Sequence, residues 1–216
     1  QSAIEGGAAV TGTITSTDLD TGDSATYTTT ASPAGFTLNS NGTYSLDPAN
    51  AAYQDLGVGE PQVITVPVIA TDSHSGVSSA TNLVITITGT NDTPTVSVPV
   101  ALPSGTEDLT QTITAGQLLA NATDVDKTDV LTVAGLSADH GSISGPDSSG
   151  NYQFTPEKDY NGDVHFTYDV KDGHGGVVQT SATTTLAAVQ DAAVITQTSI
   201  QVTEDTTQSA TIQLGI

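Results

Sequence analysis

The sequence predicts an all-β protein built of tandem β-sandwiches. Three observations carry this. Short Val/Ile/Thr-rich runs alternate apolar and polar residues with a period of two, and Gly/Asn/Asp/Ser turns separate them. The same ordered set of motifs occurs twice, about one sandwich length apart. Only AGQLLAN at 115–121 reads as helix, and it has room for one or two turns.

The repeat is read from matched motifs. DLDTGD at 18–23 matches DVDKTD at 124–129, both D-x-D-x-x-D. NGTYSLDP at 41–48 matches SGNYQFTP at 149–156, both Gly-x-Tyr-x-apolar-x-Pro. TDSHSGV at 71–77 matches KDGHGGV at 171–177, both D-x-H-x-G-V. IEGG at 4–7, TEDL at 106–109 and TEDT at 203–206 open successive units. The offsets are 106 residues (Asp18 to Asp124), 108 (Pro48 to Pro156), 100 (Asp72 to Asp172) and 102 (Glu5 to Glu107), and their spread is that of loop insertions. The expected division is 1–91 for the first sandwich, 92–190 for the second and 191–216 for the start of a truncated third. The chain reads as a monomeric fragment of something longer, because its first residues look like the inside of a domain.

The strands follow from the periodicity. In LVITIT at 83–88, Leu83, Ile85 and Ile87 share one face. In VHFTYDV at 164–170, Val164, Phe166, Tyr168 and Val170 do the same. The run Val63–Ile69 is apolar but holds Pro67, which marks an edge strand or a bulge. Tyr44 and Tyr152 are expected in the cores. Tyr53 and Tyr160 are expected to tie a loop to the backbone through their hydroxyls.

Composition excludes several functions. There are three lysines (Lys127, Lys158, Lys171), no arginine and 24 acids, for a net charge of −21. Phosphate neutralisation needs Lys and Arg, so nucleic acid is excluded, and anionic membrane surfaces with it. No run is long enough to span a bilayer, so membrane insertion is not expected. There is no cysteine, hence neither a disulfide framework nor a thiolate site. Acidic, aromatic-poor chains are often disordered. Here the acids sit in short clusters between strands, and cations are their natural counter-charge.

One Asp-x-Asp is weak evidence for a metal, since Asp and Asn favour turns for local reasons. The repetition is stronger. A Glu near the start, D-x-D-x-x-D next and D-x-H-x-G near the end recur in one order, which turn chemistry does not require. An all-oxygen set suits a hard cation, with Ca²⁺ taking six to eight oxygens. His74 and His174 are expected as turn residues, and Asp23 and Asp129 as loop-capping residues outside direct ligation. No nucleophile elbow, phosphate loop or HExxH motif appears, so no enzyme is expected.

The linker after the strand at 81–88 reads TGTNDTP at 88–94. It resembles the GTNDAP linker of VCBS-type extender modules, the tandem cadherin-like domains of bacterial RTX-type repeat adhesins, and is similar to the DxNDNxP linker of cadherins. The resemblance covers both repeats and the partial third. It implies tandem immunoglobulin/cadherin-like β-sandwiches, an extracellular location on a bacterial surface, and Ca²⁺ at the joints between neighbouring repeats of one long chain. Carried over by position, it implies that Glu5, Asn91, Asp92, Asp124, Asp126 and Asp172 hold the ion between repeats one and two. Glu107, Gln190 and Asp191 would serve the second joint, where Gln190 lowers the ligand charge. Asp18, Asp20 and Asp72 would face a linker preceding the first repeat. The implied function is a calcium-stiffened spacer. The alternative is a module that itself grips a glycan or protein. Against it stand only nine Phe and Tyr and no Trp.

Overall fold

A computed structural model of the chain describes residues 1–18 and 22–192, with strand backbone at 194–195 and 214–215. Most of the expected third unit, Glu204 included, lies outside the described residues, as does Asp20.

The first repeat contains β1 (Ser2–Ile4), β2 (Val10–Thr13), β3 (Ala25–Thr29), β4 (Phe36–Leu38), β5 (Thr43–Leu46), β6 (Pro61–Asp72) and β7 (Thr81–Thr88). One sheet has the order β1-β7-β6-β3, and the other β2-β5-β4. Strand β1 runs parallel to β7; the other ladders are antiparallel. The two sheets close over one core of Tyr27, Tyr44, Leu46, Tyr53, Leu56, Ile64, Val66, Val68, Ile85 and Ile87. Ile64, Val66 and Val68 alternate with outward residues as a half-buried strand requires.

The second repeat contains β8 (Thr95–Val96), β9 (Val100–Ala101), β10 (Gly105–Thr106), β11 (Gln111–Ile113), α1 (Ala115–Leu118), β12 (Ala122–Thr123), β13 (Thr132–Ala138), β14 (Gly141–Ser144), β15 (Tyr152–Pro156), β16 (Gly162–Lys171) and β17 (Val177–Ala187). Its sheets repeat the plan, as β10-β17-β16-β13 and β11-β15-β14, with β10 parallel to β17. Its separate core is built on Phe154, Val164, Phe166, Tyr168 and Val170. The single-turn helix α1 is fixed by a capping box: the Thr114 hydroxyl accepts from Gln117 N–H, and the Gln117 amide oxygen accepts from Thr114 N–H.

Pro67 differs from expectation in part. Strand β6 is interior, flanked by β7 and β3. The β3 ladder reaches only Val68, so Pro67 sits just beyond it, where no donor is needed on that side. Tyr53 and Tyr160 do tie loops, donating to Ala34 O at 2.7 Å and Asp163 O at 2.8 Å.

A candidate cation site at the joint

The joint lies where β7 ends, at residues 89–94. Three segments converge on it: the turn after β1, the loop between β12 and β13, and the β16–β17 hairpin. Glu5 follows β1, and its Oε2 accepts the Thr90 N–H at 2.9 Å. Asp92 N–H donates to Asp126 Oδ2 at 2.8 Å. Asn91 Nδ2 donates to Asp172 Oδ2 at 2.9 Å. Each bond links residues far apart in sequence, and two of them join the linker to the second repeat.

The hairpin explains the D-x-H-x-G motif. Asp172 Oδ1 accepts the N–H groups of His174 at 2.7 Å, Gly175 at 3.0 Å and Gly176 at 3.0 Å. A Cβ at position 176 would collide with Asp172 Oδ2, so glycine is required there. Asp72, Gly76 and His74 repeat the device in the first sandwich, with Asp72 Oδ1 accepting from His74 N–H at 2.7 Å and Gly76 N–H at 2.8 Å.

Several other oxygens at the joint have no hydrogen-bond donor. Glu5 Oε1, Asn91 Oδ1, Asp124 Oδ2, Asp126 Oδ1 and both carboxylate oxygens of Asp129 are buried without a hydrogen bond. Glu5 is 5% exposed and Asp126 only 2%. An oxygen removed from water without a partner is costly. Asp124, Asp126 and Asp129 offer oxygens that lie within 4.8 Å of one another. This donor set, all oxygen and mostly anionic, fits a hard divalent cation.

The electrostatics agree. Burial raises the Glu5 carboxyl above its ordinary value, and the charges of Asp92 and Asp126 add to the rise. Burial likewise raises Asp126, with Asp129, Asp92 and Asp124 adding to it. Asp172 behaves differently. Burial opposes its charge, but the donors from Asn91, His174, Gly175 and Gly176 outweigh that and lower it.

The six residues expected here thus converge, as Glu5, Asn91, Asp92, Asp124, Asp126 and Asp172. Asp129, expected outside direct ligation, has a fully buried side chain and stands in the same group; His174 Nδ1 lies 2.9 Å from its Oδ1. In the first repeat His74 Nδ1 lies 3.0 Å from Asp23. The histidines sit in turns as expected, but each also faces the third Asp of D-x-D-x-x-D. The recurrence of both motifs, at offsets of 106 and 100 residues, was the available signal for this pairing. The meeting of Lys127 with Asp55 and Glu60 at the joint went unnoticed in the sequence.

At the far end of the second repeat, Glu107 Oε1 accepts the Val189 N–H. Asp191 groups with Asp108 and Asp159, two acids the motifs did not single out, and Gln190 is exposed. At the opposite end Asp18, Asp23 and Asp72 group together. No helix among the described residues is long and apolar enough to cross a membrane.

Residues 90–187 match the model of the cadherin-like domain. A comparison of the sequence with curated proteins finds no match. Among solved structures, human CDH23 EC21-23 is similar at 20% identity and a TM-score of 0.61, over 99% of this chain and 80% of that one. Human mucin-like protocadherin EC1-2 is similar at 15% identity and a TM-score of 0.56, over 87% of this chain and 95% of that one. Protocadherin gammaB7 EC3-6, solved as a cis-dimer, gives 16% identity and a TM-score of 0.51, over 91% of this chain and 47% of that one. The family match thus spans the second repeat, and the chain shares the all-β fold of these cadherin and protocadherin ectodomain structures.

Proposed function

We propose that this chain is a calcium-stiffened spacer from a large extracellular bacterial adhesin of the VCBS/RTX type. Its working partners are the neighbouring repeats of the same chain, and it acts without catalysis. The carrying observation is the set of buried oxygens without donors on Glu5, Asn91, Asp124, Asp126 and Asp129 at the joint. Those residues come from the first repeat, the linker and the second repeat, so whatever satisfies them ties all three together.

The chain's own residues set the geometry. Thr90 and Asp92 N–H groups hold one oxygen each of Glu5 and Asp126, turning the other oxygen of each carboxylate inward. Asn91 holds Asp172 with its amide nitrogen and keeps its own oxygen free of donors. The burial-raised pKa values of Glu5 and Asp126 register the strain of leaving these carboxylates together without a counter-charge. Bound Ca²⁺ supplies that counter-charge and fills its shell of oxygens. Binding to the folded form alone then stabilises it by mass action. The acid groups Asp18/Asp23/Asp72 and Asp108/Asp159/Asp191, at the two outer ends, extend the same plan to flanking repeats.

The test is a calcium titration by calorimetry, paired with thermal melts in EDTA and in millimolar Ca²⁺. Saturable binding with a clear rise in melting temperature is expected. Absence of binding together with identical melts would overturn the proposal.

A further inference from the structure

The joint holds a second set of contacts, made by residues outside the buried oxygen cluster. The 55–60 segment of the first repeat faces Lys127 and Thr128 of the second. Lys127 N–H donates to the Asp55 carbonyl at 3.3 Å. Its ammonium lies 3.5 Å from Glu60 Oε1 and 3.8 Å from Asp55 Oδ2. Next to it, Thr128 sits against buried Gly57 so closely that a Cβ at position 57 would collide with Thr128 Oγ1.

The 57–60 turn is in turn fixed to the linker. Gly57 N–H donates to Glu60 Oε2 at 3.3 Å, Gly89 N–H to Glu60 O at 2.8 Å, and Gly59 N–H to Gly89 O at 3.0 Å. A contact made at Lys127 and Thr128 is therefore transmitted to the start of the linker.

Composition sharpens the point. The chain has three basic residues against 24 acids. One of the three stands inside the acidic D-x-D-x-x-D loop, where the first repeat has Thr21, and Gly22 stands where the second repeat has Thr128. The repeat pattern itself does not call for a lysine there. A cation carried on the chain stands beside carboxylates of the first repeat that the buried cluster does not include.

We propose that Lys127 and Thr128 form a metal-independent latch that docks the second repeat on the 55–60 segment of the first, with the Lys127 ammonium as resident cation for Asp55 and Glu60. The latch goes beyond the calcium reading and stands without it. The joint of this chain is partly docked before any metal binds. Calcium then tightens a preformed arrangement rather than ordering a free swivel.

The test uses the 216-residue chain. It has no cysteine, so spin labels go on at exposed positions through Thr81→Cys and Ser149→Cys, one in each repeat. Pulsed dipolar spectroscopy in EDTA then gives the inter-repeat distance distribution and the docked fraction. Lys127→Glu reverses the ion pair at an exposed site and leaves both cores intact. Gly57→Val forces Thr128 away. The docked fraction in EDTA is expected to fall about two- to fivefold for Lys127→Glu, in line with a surface ion pair. Lys127→Arg is expected to keep it, and Gly57→Val to lose it. A wild-type distribution for Lys127→Glu or for Gly57→Val in EDTA overturns the latch. Calcium titration of the same samples is a separate readout, so failure of the calcium reading leaves this comparison standing, and the reverse.

Discussion

The backbone N–H of Asp92 donates to Asp126 Oδ2 at 2.8 Å, and this bond joins the linker to the second repeat. It also divides the labour of one carboxylate. One oxygen is held by the protein. The other, Oδ1, is buried with no donor beside Asp124 and Asp129.

That division yields the first prediction. Asp126→Asn keeps an acceptor for the Asp92 N–H but removes the charge. Asp124→Ala/Asp126→Ala removes both carboxylates. For an extracellular-type Kd of about 10⁻⁴–10⁻³ M, 10 mM Ca²⁺ stabilises the folded form by about 1.4–2.7 kcal/mol. In a domain of this size that is a rise on the order of 10 °C. Wild type is expected to show it, Asp126→Asn to lose more than half of it, and the double variant to show none. An undiminished calcium-dependent rise in the double variant would remove these carboxylates from the site.

The second prediction concerns pH in EDTA. A carboxyl whose folded pKa is raised binds its proton more tightly in the folded state. Its cost is fully present above the folded pKa and shrinks as pH falls through it toward the unfolded value. Glu5 and Asp126 are raised from ordinary values of 4.5 and 3.8. Asp172 is lowered, so its stabilising contribution persists above 3.8 and is lost only below that. The metal-free protein is therefore expected to melt higher at pH 5 than at pH 7.5. Glu5→Gln/Asp126→Asn should flatten the difference, and saturating Ca²⁺ should do the same at pH 7.5. A melting temperature that rises from pH 5 to 7.5 in EDTA would contradict the assignment of burial as the dominant influence.

The sandwiches were legible because period-two alternation and paired turn motifs are local signals. Val164, Phe166, Tyr168 and Val170 face the core as their spacing requires. The meeting of five acids and one amide at the joint was legible because the motifs recur, which ordinary turn chemistry does not require. The depth of Asp129 was not legible, because spacing cannot say how far a loop folds back; its side chain is fully buried. The contact between Lys127 and Glu60 was invisible for a different reason. Glu60 belongs to no repeated motif, and its meeting with Lys127 depends on how two sandwiches dock, which periodicity within a strand does not encode.

Asn91 provides the third prediction. Its Nδ2 serves both Asp172 Oδ2 and the Asp92 carbonyl, at 2.9 and 2.8 Å. Asn91→Ala removes a donor from a buried carboxylate, which costs about 1–3 kcal/mol. Asn91→Asp goes further, placing a second negative charge against Asp172. In EDTA the melting temperature is expected to fall for Ala and to fall more for Asp. In Ca²⁺ the order should reverse, because a carboxylate at position 91 is the stronger oxygen ligand. Equal melts for the two variants in both conditions would mean that the amide only shapes the turn.

The two histidines give a fourth prediction, in which one repeat controls for the other. His174 Nδ1 lies 2.9 Å from Asp129 Oδ1 and is the ion-pair partner of a buried carboxylate that accepts no hydrogen bond from elsewhere. His74 lies against Asp23, but there the Ser73 hydroxyl also donates to Asp23 Oδ1 at 3.0 Å. His74 is also far more exposed, with 80% of its side chain open to solvent against 43% for His174. Removing His174 strands a buried carboxylate, whereas removing His74 leaves Asp23 a partner. His174→Ala is expected to destabilise the metal-free protein by about 1–3 kcal/mol, the cost of an unsatisfied buried polar group. His74→Ala should cost less than about 1 kcal/mol, as for an exposed pair. The check is denaturant unfolding of both variants in EDTA and in Ca²⁺. Calcium should narrow the gap, because a cation at Asp129 takes over from the imidazole. Two equal losses in EDTA would show that the histidines matter only as turn residues.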